Sequence, residues 1–241
     1  MRLFKKRKKQ SVSLDMEKIP CHIGFICDGN GRWATKRGLP RFEGHKAGVE
    51  ALKKVIKRCV ELGVSVVSFY CFSTENFSRP KAEVDYLFGL FRSLEKHGDK
   101  FVENGIKFNL MGDRSLFPED MQKILTDLEQ KTKDCSKIVA NFGLGYGGRR
   151  EIVSAVNKLL ESGEKQISEA DFSKFLYTGG LPDPDLIVRA SGEQRLSNFM
   201  LYQAAYSEFY FPKVHWPDFD EHVVDASIAE FQSRHRRFGK V

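Results

Sequence analysis

The chain has 241 residues, enough for one large domain with a substantial hydrophobic core. It is 41% hydrophobic and has 20 phenylalanines without any low-complexity block, which excludes a disordered protein and suits either a rich core or a long apolar cavity. No apolar run reaches the roughly 18 residues that span a bilayer, and no secretory signal follows the basic start. With five cysteines and no CxxC spacing, we expect reduced thiols and a cytoplasmic location.

The net charge of +7 comes largely from the first nine residues, which contain six basic side chains and no acidic one. We predict a flexible basic arm over residues 1–18, which would either contact anionic lipid head groups at the membrane surface or act only as a solubilising segment. The rest of the chain is near neutral and has no basic stripe interleaved with aromatic residues. We therefore expect no nucleic-acid binding.

The first predicted strand, residues 22–27, is an apolar run that ends at Asp28. The Gly29-Asn30-Gly31 turn that follows would present its backbone N–H groups to an anion. Positive or aromatic side chains come next: Arg32, Trp33, Arg37, Arg41 and His45. In open α/β sheets, ligands bind beyond the carboxyl ends of strands, so this stretch predicts a phosphate site.

A helix over residues 44–61 and a buried strand over 64–72 are predicted next. The strand ends in a polar cluster at residues 73–80, which again places ligand-type side chains at a strand end. Residues 83–104 have helical spacing with a broad apolar face around Phe88 and Phe91. That face would either pack in the core or form the wall of a hydrophobic cavity.

Alternating strands and helices continue to the end of the chain. Strands are predicted over residues 107–111, 137–142, 185–189 and 208–211, and helices over 118–133, 151–160, 168–177, 200–205 and 226–237. The glycines between 143 and 148 match neither GxxxxGK[ST] nor GxGxxG, which argues against nucleotide-binding folds. The pattern predicts one α/β domain over 19–241, with a mainly parallel central sheet and helices on both faces.

The candidate site residues are mostly arginines, hydroxyls and a few carboxylates at strand ends. Arginine can grip phosphate oxygens at two points, and the number of arginines suits two diphosphate groups. Asp and Glu beside phosphates favour Mg²⁺ as the cofactor. The sequence has no GxSxG elbow, no HExxH and no Cys/His box, which argues against serine-hydrolase and zinc chemistry.

Several ordered motifs carry a resemblance to a known family. They are DGNGRWA at 28–34, GHKAG at 44–48, FSTEN at 72–76, YGGR at 146–149, SGE-RLSNF across 191–199 and WPDFDE at 216–221. From about Ile19 onward the chain closely resembles the undecaprenyl diphosphate synthases, which are cis-prenyltransferases. It contains none of the DDxxD motifs of trans-prenyltransferases.

The resemblance implies an isoprenyl transferase that condenses farnesyl diphosphate, as the allylic substrate, with successive isopentenyl diphosphates. The product would be undecaprenyl diphosphate, the precursor of the cell-wall lipid carrier, grown in a hydrophobic tunnel. The implied catalytic residues are Asp28 and Asn76, and the implied substrate-binding residues are Gly29, Asn30, Gly31, Arg32, Trp33, Arg41, His45, Ser73, Thr74, Glu75, Phe77, Arg79, Arg189, Arg195, Leu196 and Ser197.

The resemblance also implies a metal site and a partner subunit. Mg²⁺ would be bound by Asp28 and Glu208, and the protein would be a homodimer in which Arg237 and Gly239 reach toward the neighbouring site. Some positions depart from the family pattern, among them Phe77, Gly145 and Ala190. They leave open a short-chain or unusual-product enzyme on the same fold. A non-catalytic prenyl-diphosphate-binding subunit is a further alternative, although such a protein would be expected to lose the charged residues that this chain keeps.

Overall fold

The structure is a computed structural model that describes residues 12–164 and 166–235. The strands in these ranges are His22–Ile26 (β1), Val66–Ser73 (β2), Ile106–Met111 (β3), Ile138–Tyr146 (β4), Leu186–Arg189 (β5) and Glu208–Tyr210 (β6). The α-helices are Asn30–Thr35 (α1), Arg41–Glu61 (α2), Lys81–Arg92 (α3), Gly98–Glu103 (α4), Glu119–Thr132 (α5), Gly148–Ser162 (α6), Glu169–Ser173 (α7) and Glu221–Gln232 (α8).

The strands form one sheet in the order β3-β4-β2-β1-β5-β6, and every pair is parallel. This confirms the predicted α/β class. The central strand β1 has β2 on one side and β5, which follows much later in the chain, on the other. Ile26 at the end of β1 is in register with Tyr70 and Arg189. The carboxyl ends of three neighbouring strands therefore meet where the strand order reverses, the usual place for a ligand in such sheets.

Successive strand residues face opposite sides of the sheet, and each side has its own apolar cluster. Phe25 and Phe69 stack at 5.5 Å under helix α2 and Trp216, whereas Ile26 and Tyr70 face the other side. There, Tyr70 stacks on Phe199 at 4.8 Å. Helices thus cover both faces, as the sequence pattern predicts.

A row of buried polar side chains crosses four strands of the sheet. His22 Nε2 bonds to Ser68 Oγ at 2.7 Å, Asn141 donates to Ser68 Oγ at 2.8 Å, and Asn109 donates to Asn141 Oδ1 at 2.8 Å. The other His22 ring nitrogen bonds to the backbone oxygen of Pro182 at 2.7 Å. Burial lowers the pKa of His22 to about 4, so the ring is neutral near pH 7.

Four predicted helices differ from those observed. The helix predicted over 168–177 covers only Glu169–Ser173, and the one predicted over 200–205 is a turn followed by a 3-10 segment at Gln203–Tyr206. The helix predicted over 83–104 is broken into α3, a 3-10 segment at Ser93–His97, and α4. The Ser93 hydroxyl donates to the Leu90 carbonyl at 2.6 Å, a local bond that competes with the helix, and Gly98 follows the break. The last helix begins at Glu221 rather than 226, because the Asp220 side chain caps it by accepting from Val223 N.

The start of the described chain is attached to the domain. Gln232 on α8 accepts from the Asp15 backbone N–H at 3.0 Å and donates to the carbonyls of Asp15 and Lys18. Residues 1–11, most of the predicted arm, lie outside the described residues, as do Arg237 and Gly239. None of the described helices is long and apolar enough to cross a membrane.

Candidate active site

Asp28 lies two residues beyond β1, and its carboxylate bridges two arginines. Arg189, the last residue of β5, donates to Asp28 Oδ2 at 3.0 Å, and Arg32 on α1 contacts Oδ1 at 2.9 Å. The Arg189 side chain is only 5% exposed. A buried guanidinium needs a negative partner, and Asp28 is the carboxylate that supplies it here.

Arg189 has donors left for a ligand. Its Nη1 donates to Ser197 Oγ at 2.8 Å and to the Arg195 carbonyl at 2.5 Å. Its Nε is buried without a hydrogen-bond partner in the described chain. An unpaired buried donor costs free energy unless something accepts from it. A phosphate oxygen entering beside Asp28 would be such an acceptor.

The loop after β5 adopts a backbone that non-glycine residues rarely use. Ser197, Asn198 and Met200 have φ angles of 50°, 68° and 44°. Two hydrogen bonds to the junction of β4 and α6 fix the loop. Met200 N donates to the Tyr146 hydroxyl at 3.2 Å, and Gly148 N donates to the Asn198 carbonyl at 2.7 Å. This strain is typical of functional loops, and it places Ser197 at the cavity.

A second group of cationic and polar donors gathers around Glu83 on α3. Arg79 Nη1 is 3.0 Å and His45 Nε2 is 3.2 Å from Glu83 Oε1, and Arg41 Nε is 3.7 Å from Oε2. Partial burial acts to raise the pKa of Glu83, but Arg79, His45 and Arg41 together hold it below its ordinary value. Burial lowers the pKa of His45 despite this carboxylate. Glu83 therefore holds three donors at the cavity mouth.

The polar cluster after β2 forms a 3-10 turn at Thr74–Ser78. Its capping box uses Asn76, whose Oδ1 accepts from the Ser73 N–H at 3.1 Å. Glu75 accepts from Asn198 Nδ2 at 2.9 Å, which joins the β2 end to the loop after β5. Burial acts to raise the pKa of Glu75, but its hydrogen bonds hold it below the ordinary value. Asn76 faces the cavity with its amide oxygen already engaged.

Two glycines beneath the site stand where there is no room for a side chain. Gly29 has a φ of 94°, and a Cβ there would lie 2.1 Å from Ser191 Oγ. A Cβ on Gly44 would lie 2.0 Å from the Asn30 carbonyl oxygen. The predicted Gly-Asn-Gly turn is thus the start of α1, which packs tightly on α2.

These groups surround a polar cavity of about 610 Å³. The structure brings together thirteen of the predicted site residues in its lining: Asp28, Gly29, Asn30, Gly31, Arg32, Arg41, His45, Ser73, Glu75, Asn76, Arg79, Arg189 and Ser197. Three of the predicted strand ends therefore converge on one cavity.

Two apolar cavities adjoin the polar cavity, and we call them together the tunnel. A neck of about 90 Å³ shares four lining residues with the cavity: Cys27, Asn30, His45 and Cys71. Beyond it, a chamber of about 460 Å³ shares five with the neck: Val49, Leu52, Leu94, His97 and Phe142. The path runs along α2 between that helix and the α3–α4 segment. This is the hydrophobic tunnel that the sequence resemblance implies.

Several predicted residues do not line the cavity. Trp33 donates its indole N–H to Asp218 at 2.7 Å, and Arg37 lies over its ring. Phe77 packs on Phe72 and Phe117. Arg195 pairs with Glu193 at 2.7 Å, and Thr74 and Leu196 also lie outside the lining. These residues support the walls rather than face the cavity.

Glu208 lies at the amino ends of the strands, whereas Asp28 lies at their carboxyl ends. It begins β6 in register with Leu186, which begins β5, and its carboxylate pairs with Arg234 at 2.8 Å. Because all strands are parallel, Asp28 lies beyond their carboxyl ends and Glu208 at their amino ends. One chain therefore does not bring Glu208 to Asp28, and its role in metal binding stays a prediction.

Sequence reasoning did not assign a site role to some residues that matter. Glu83 anchors three donors, and Glu193 joins Arg32 at 2.6 Å to Arg195. Glu83 follows Arg79 by four residues, but Arg79 precedes α3 and has an extended backbone, so helical spacing does not predict this pair. The contact of Glu193 with Arg32 joins the loop after β5 to helix α1, and local spacing gives no sign of it.

The donor set fits Mg²⁺ only with the help of a substrate. No group of three or more Asp, Glu, His or Cys side chains suited to a metal occurs in residues 12–164 and 166–235. Mg²⁺ is commonly bound by one or two carboxylates together with phosphate oxygens and water. Asp28, a single carboxylate beside phosphate-type donors, fits that pattern.

Comparison with known proteins shows the family to which the chain belongs. Residues 26–239 match the family model described as putative undecaprenyl diphosphate synthase. An isoprenyl transferase of Clostridium perfringens is 45% identical over 96% of this chain and 94% of its own. A ditrans,polycis-undecaprenyl-diphosphate synthase of Legionella pneumophila, named as specific for (2E,6E)-farnesyl diphosphate, is 46% identical over 93% and 97%.

Solved structures agree with the fold. Lavandulyl diphosphate synthase from Lavandula x intermedia, in complex with dimethylallyl diphosphate, has a TM-score of 0.89 and 35% identity over 93% of this chain and 100% of its own. A probable undecaprenyl diphosphate synthase from Campylobacter jejuni has a TM-score of 0.78 and 33% identity over 92% and 99%.

Proposed function

Because this chain belongs to the undecaprenyl diphosphate synthase family of prenyltransferases, we propose that it condenses farnesyl diphosphate with successive isopentenyl diphosphates to make undecaprenyl diphosphate. The observation that carries the proposal is a polar cavity, lined by Asp28 and five basic side chains, that adjoins an apolar tunnel. A diphosphate needs the first part and a growing prenyl chain needs the second.

In each cycle, the allylic carbon–oxygen bond breaks and the diphosphate leaves with the electron pair. A new carbon–carbon bond forms to isopentenyl diphosphate, and one proton leaves the condensing unit. Arg41, His45 and Arg79, held by Glu83, would stabilise the leaving diphosphate, and Arg189 with Ser197 would hold isopentenyl diphosphate.

Asn76 is proposed to orient the condensing unit beside Glu75. Its Oδ1 caps Ser73, so the amide is fixed and its NH₂ group is what it can offer to a substrate. Asp28 would hold Mg²⁺ together with substrate phosphates. When bound, that ion would neutralise charge on the departing diphosphate.

The proposal is tested by incubating the purified full chain with farnesyl diphosphate, labelled isopentenyl diphosphate and Mg²⁺, with and without a chelator. We expect a chelator-sensitive ladder that ends near eleven isoprene units. A single short product would support the unusual-product alternative, which the likeness to lavandulyl diphosphate synthase favours. The absence of any product with any allylic primer would contradict an enzymatic function and favour a binding subunit.

We also propose that the protein is a homodimer. Helix α6 presents an apolar stripe to solvent, in which Val153 is 60% and Leu160 is 69% exposed, with Val156 between them. Such a stripe is typical of an interface. Light scattering should give a dimer for the parent chain and a monomer for Leu160→Glu, and a monomeric parent chain would remove this proposal. Arg237 and Gly239 would then extend toward the partner's cavity.

The proposed product would serve as the precursor of a cell-wall lipid carrier, which places the enzyme in the cytoplasm at the inner face of the membrane. The basic residues among 1–9 support a peripheral contact with anionic lipid.

A further inference from the structure

The far end of the tunnel opens at the surface among lysines. The chamber is apolar inside, but its rim consists of exposed Lys53, Lys57, Lys100 and Lys137. Glu61 is the one carboxylate among the lining residues. We name these four lysines the lysine rim. It lies where the end of α2 and helix α4 meet the amino ends of β3 and β4, away from the diphosphate cavity.

The rim keeps an excess of positive charge. Lys53 pairs with Glu50 at 2.7 Å, and Glu61 is 3.0 Å from Arg58 and 3.9 Å from Lys57. Lys100 and Lys137 make no ion pair with any residue in the part of the chain that the structure describes. An apolar opening surrounded by lysines is complementary to a bilayer with anionic head groups, in which charge lies above hydrocarbon.

The tunnel is also shorter than the proposed product. The part of α2 that lines it, from His45 to Val60, is about 22 Å long. An extended prenyl chain of eleven units has four main-chain carbons in every unit and is therefore much longer than this part of α2. The chain must therefore either fold inside the tunnel or leave through its far end, where water is an unfavourable solvent for it.

We propose that the lysine rim docks on an anionic lipid bilayer, and that the hydrocarbon end of the growing chain passes through the rim into the lipid. This inference rests on the proposed function for its cargo, whereas the docking itself requires no substrate. It differs from the contact proposed for the N-terminal arm, because it assigns the membrane-facing side to the far end of the tunnel.

The first test measures co-sedimentation of the full chain with vesicles of phosphatidylcholine alone or with one third phosphatidylglycerol, without substrates. We expect binding to the anionic vesicles and a loss of about thirtyfold or more for Lys100→Glu with Lys137→Glu. The matched control is Lys36→Glu with Lys174→Glu, which reverses two exposed lysines after α1 and after α7. An equal loss in both pairs, or in neither, would overturn the proposal.

The second test asks which face meets the lipid. Asn104 lies at the rim and Ala170 on α7, and both are exposed. A tryptophan introduced by Asn104→Trp should shift its fluorescence to the blue when anionic vesicles are added, relative to the parent chain. One introduced by Ala170→Trp should not. A shift at Ala170→Trp alone, or at neither position, would contradict docking through the rim.

A third measurement distinguishes docking through the N-terminal arm from docking through the lysine rim. The same measurements on a full chain with Lys5→Gln, Lys6→Gln and Lys8→Gln should keep the shift at Asn104→Trp, and its loss would assign the docking to the arm instead. Because the vesicle tests use no substrate, a normal product ladder with failed docking would reject this inference alone. Rim-dependent docking without any ladder would reject only the proposed function.

Discussion

The two ends of the substrate path are built in opposite ways. At the polar end, most charged side chains are held by another charge, as Asp28 is by Arg189 and Arg32. Along the tunnel, α3 is held by aromatic packing, with Phe88 5.9 Å from Phe72 and 5.5 Å from Phe117. Removal of one charge leaves its partners uncompensated, whereas removal of one ring changes a volume. The first end should therefore control rate and the second should control product length.

The largest effect is expected for Asp28→Ala. The change removes the carboxylate proposed to hold Mg²⁺ and leaves the buried Arg189 without its carboxylate partner, so turnover should fall by about 10³-fold or more. Rate is measured with labelled isopentenyl diphosphate, and circular dichroism checks the fold. Near-normal turnover in a folded variant would count decisively against the proposed function.

A stability effect is expected from the buried polar row, which belongs to neither end of the path. The pKa of His22 is about 4 in the folded chain and about 6.5 when unfolded, so the folded state favours the neutral ring. The stabilisation is complete above pH 6.5 and is lost as the pH falls toward 4, by about 3 kcal/mol in total.

The check is denaturant unfolding at several pH values for the parent chain and for His22→Asn. The difference between the two should shrink as the pH falls from 6.5 to 4. His222→Asn, at an exposed site on α8, is the matched control and should follow the parent chain. A constant difference across this range would show that His22 is not held neutral.

A smaller effect on rate is expected for Glu83→Gln. The variant loses the charge that organises Arg41, His45 and Arg79, so KM for the allylic substrate should rise about tenfold with less change in kcat. Asp85→Asn is the control on the same helix, because Asp85 pairs only with exposed Lys81 among the described residues. An unchanged KM in Glu83→Gln would mean that the charge of Glu83 is not needed to position the three donors.

The smallest change is expected in product length. Phe91 lines the neck, whereas Phe88 packs outside the cavity linings. Phe91→Ala should shift the product by one or a few isoprene units, because it widens the tunnel. Phe88→Ala should instead lower the free energy of unfolding by about 2–3 kcal/mol with less effect on length. Product length is measured by chromatography. Products of identical length from both variants would show that the neck does not control product length.

The sequence by itself determined the class of the fold and most of the polar end. Strand-helix alternation predicts a parallel sheet, and in such a sheet strand ends such as Asp28, Ser73 and Arg189 meet at one edge. The Gly29-Asn30-Gly31 turn is a local feature, and Gly29 has the positive φ that glycine favours. These features are local, or follow from a rule of sheet geometry, so a pattern of residues is enough to predict them.

Only the tertiary structure decided the rest. The break at Ser93–His97 makes α3 and α4 two separate walls, and the register of β6 places Glu208 at the edge opposite Asp28. The lysine rim joins residues 53 and 57 to residues 100 and 137, which are far apart in sequence. No local periodicity encodes such contacts, because they depend on how helices pack across the sheet and on where separate segments end.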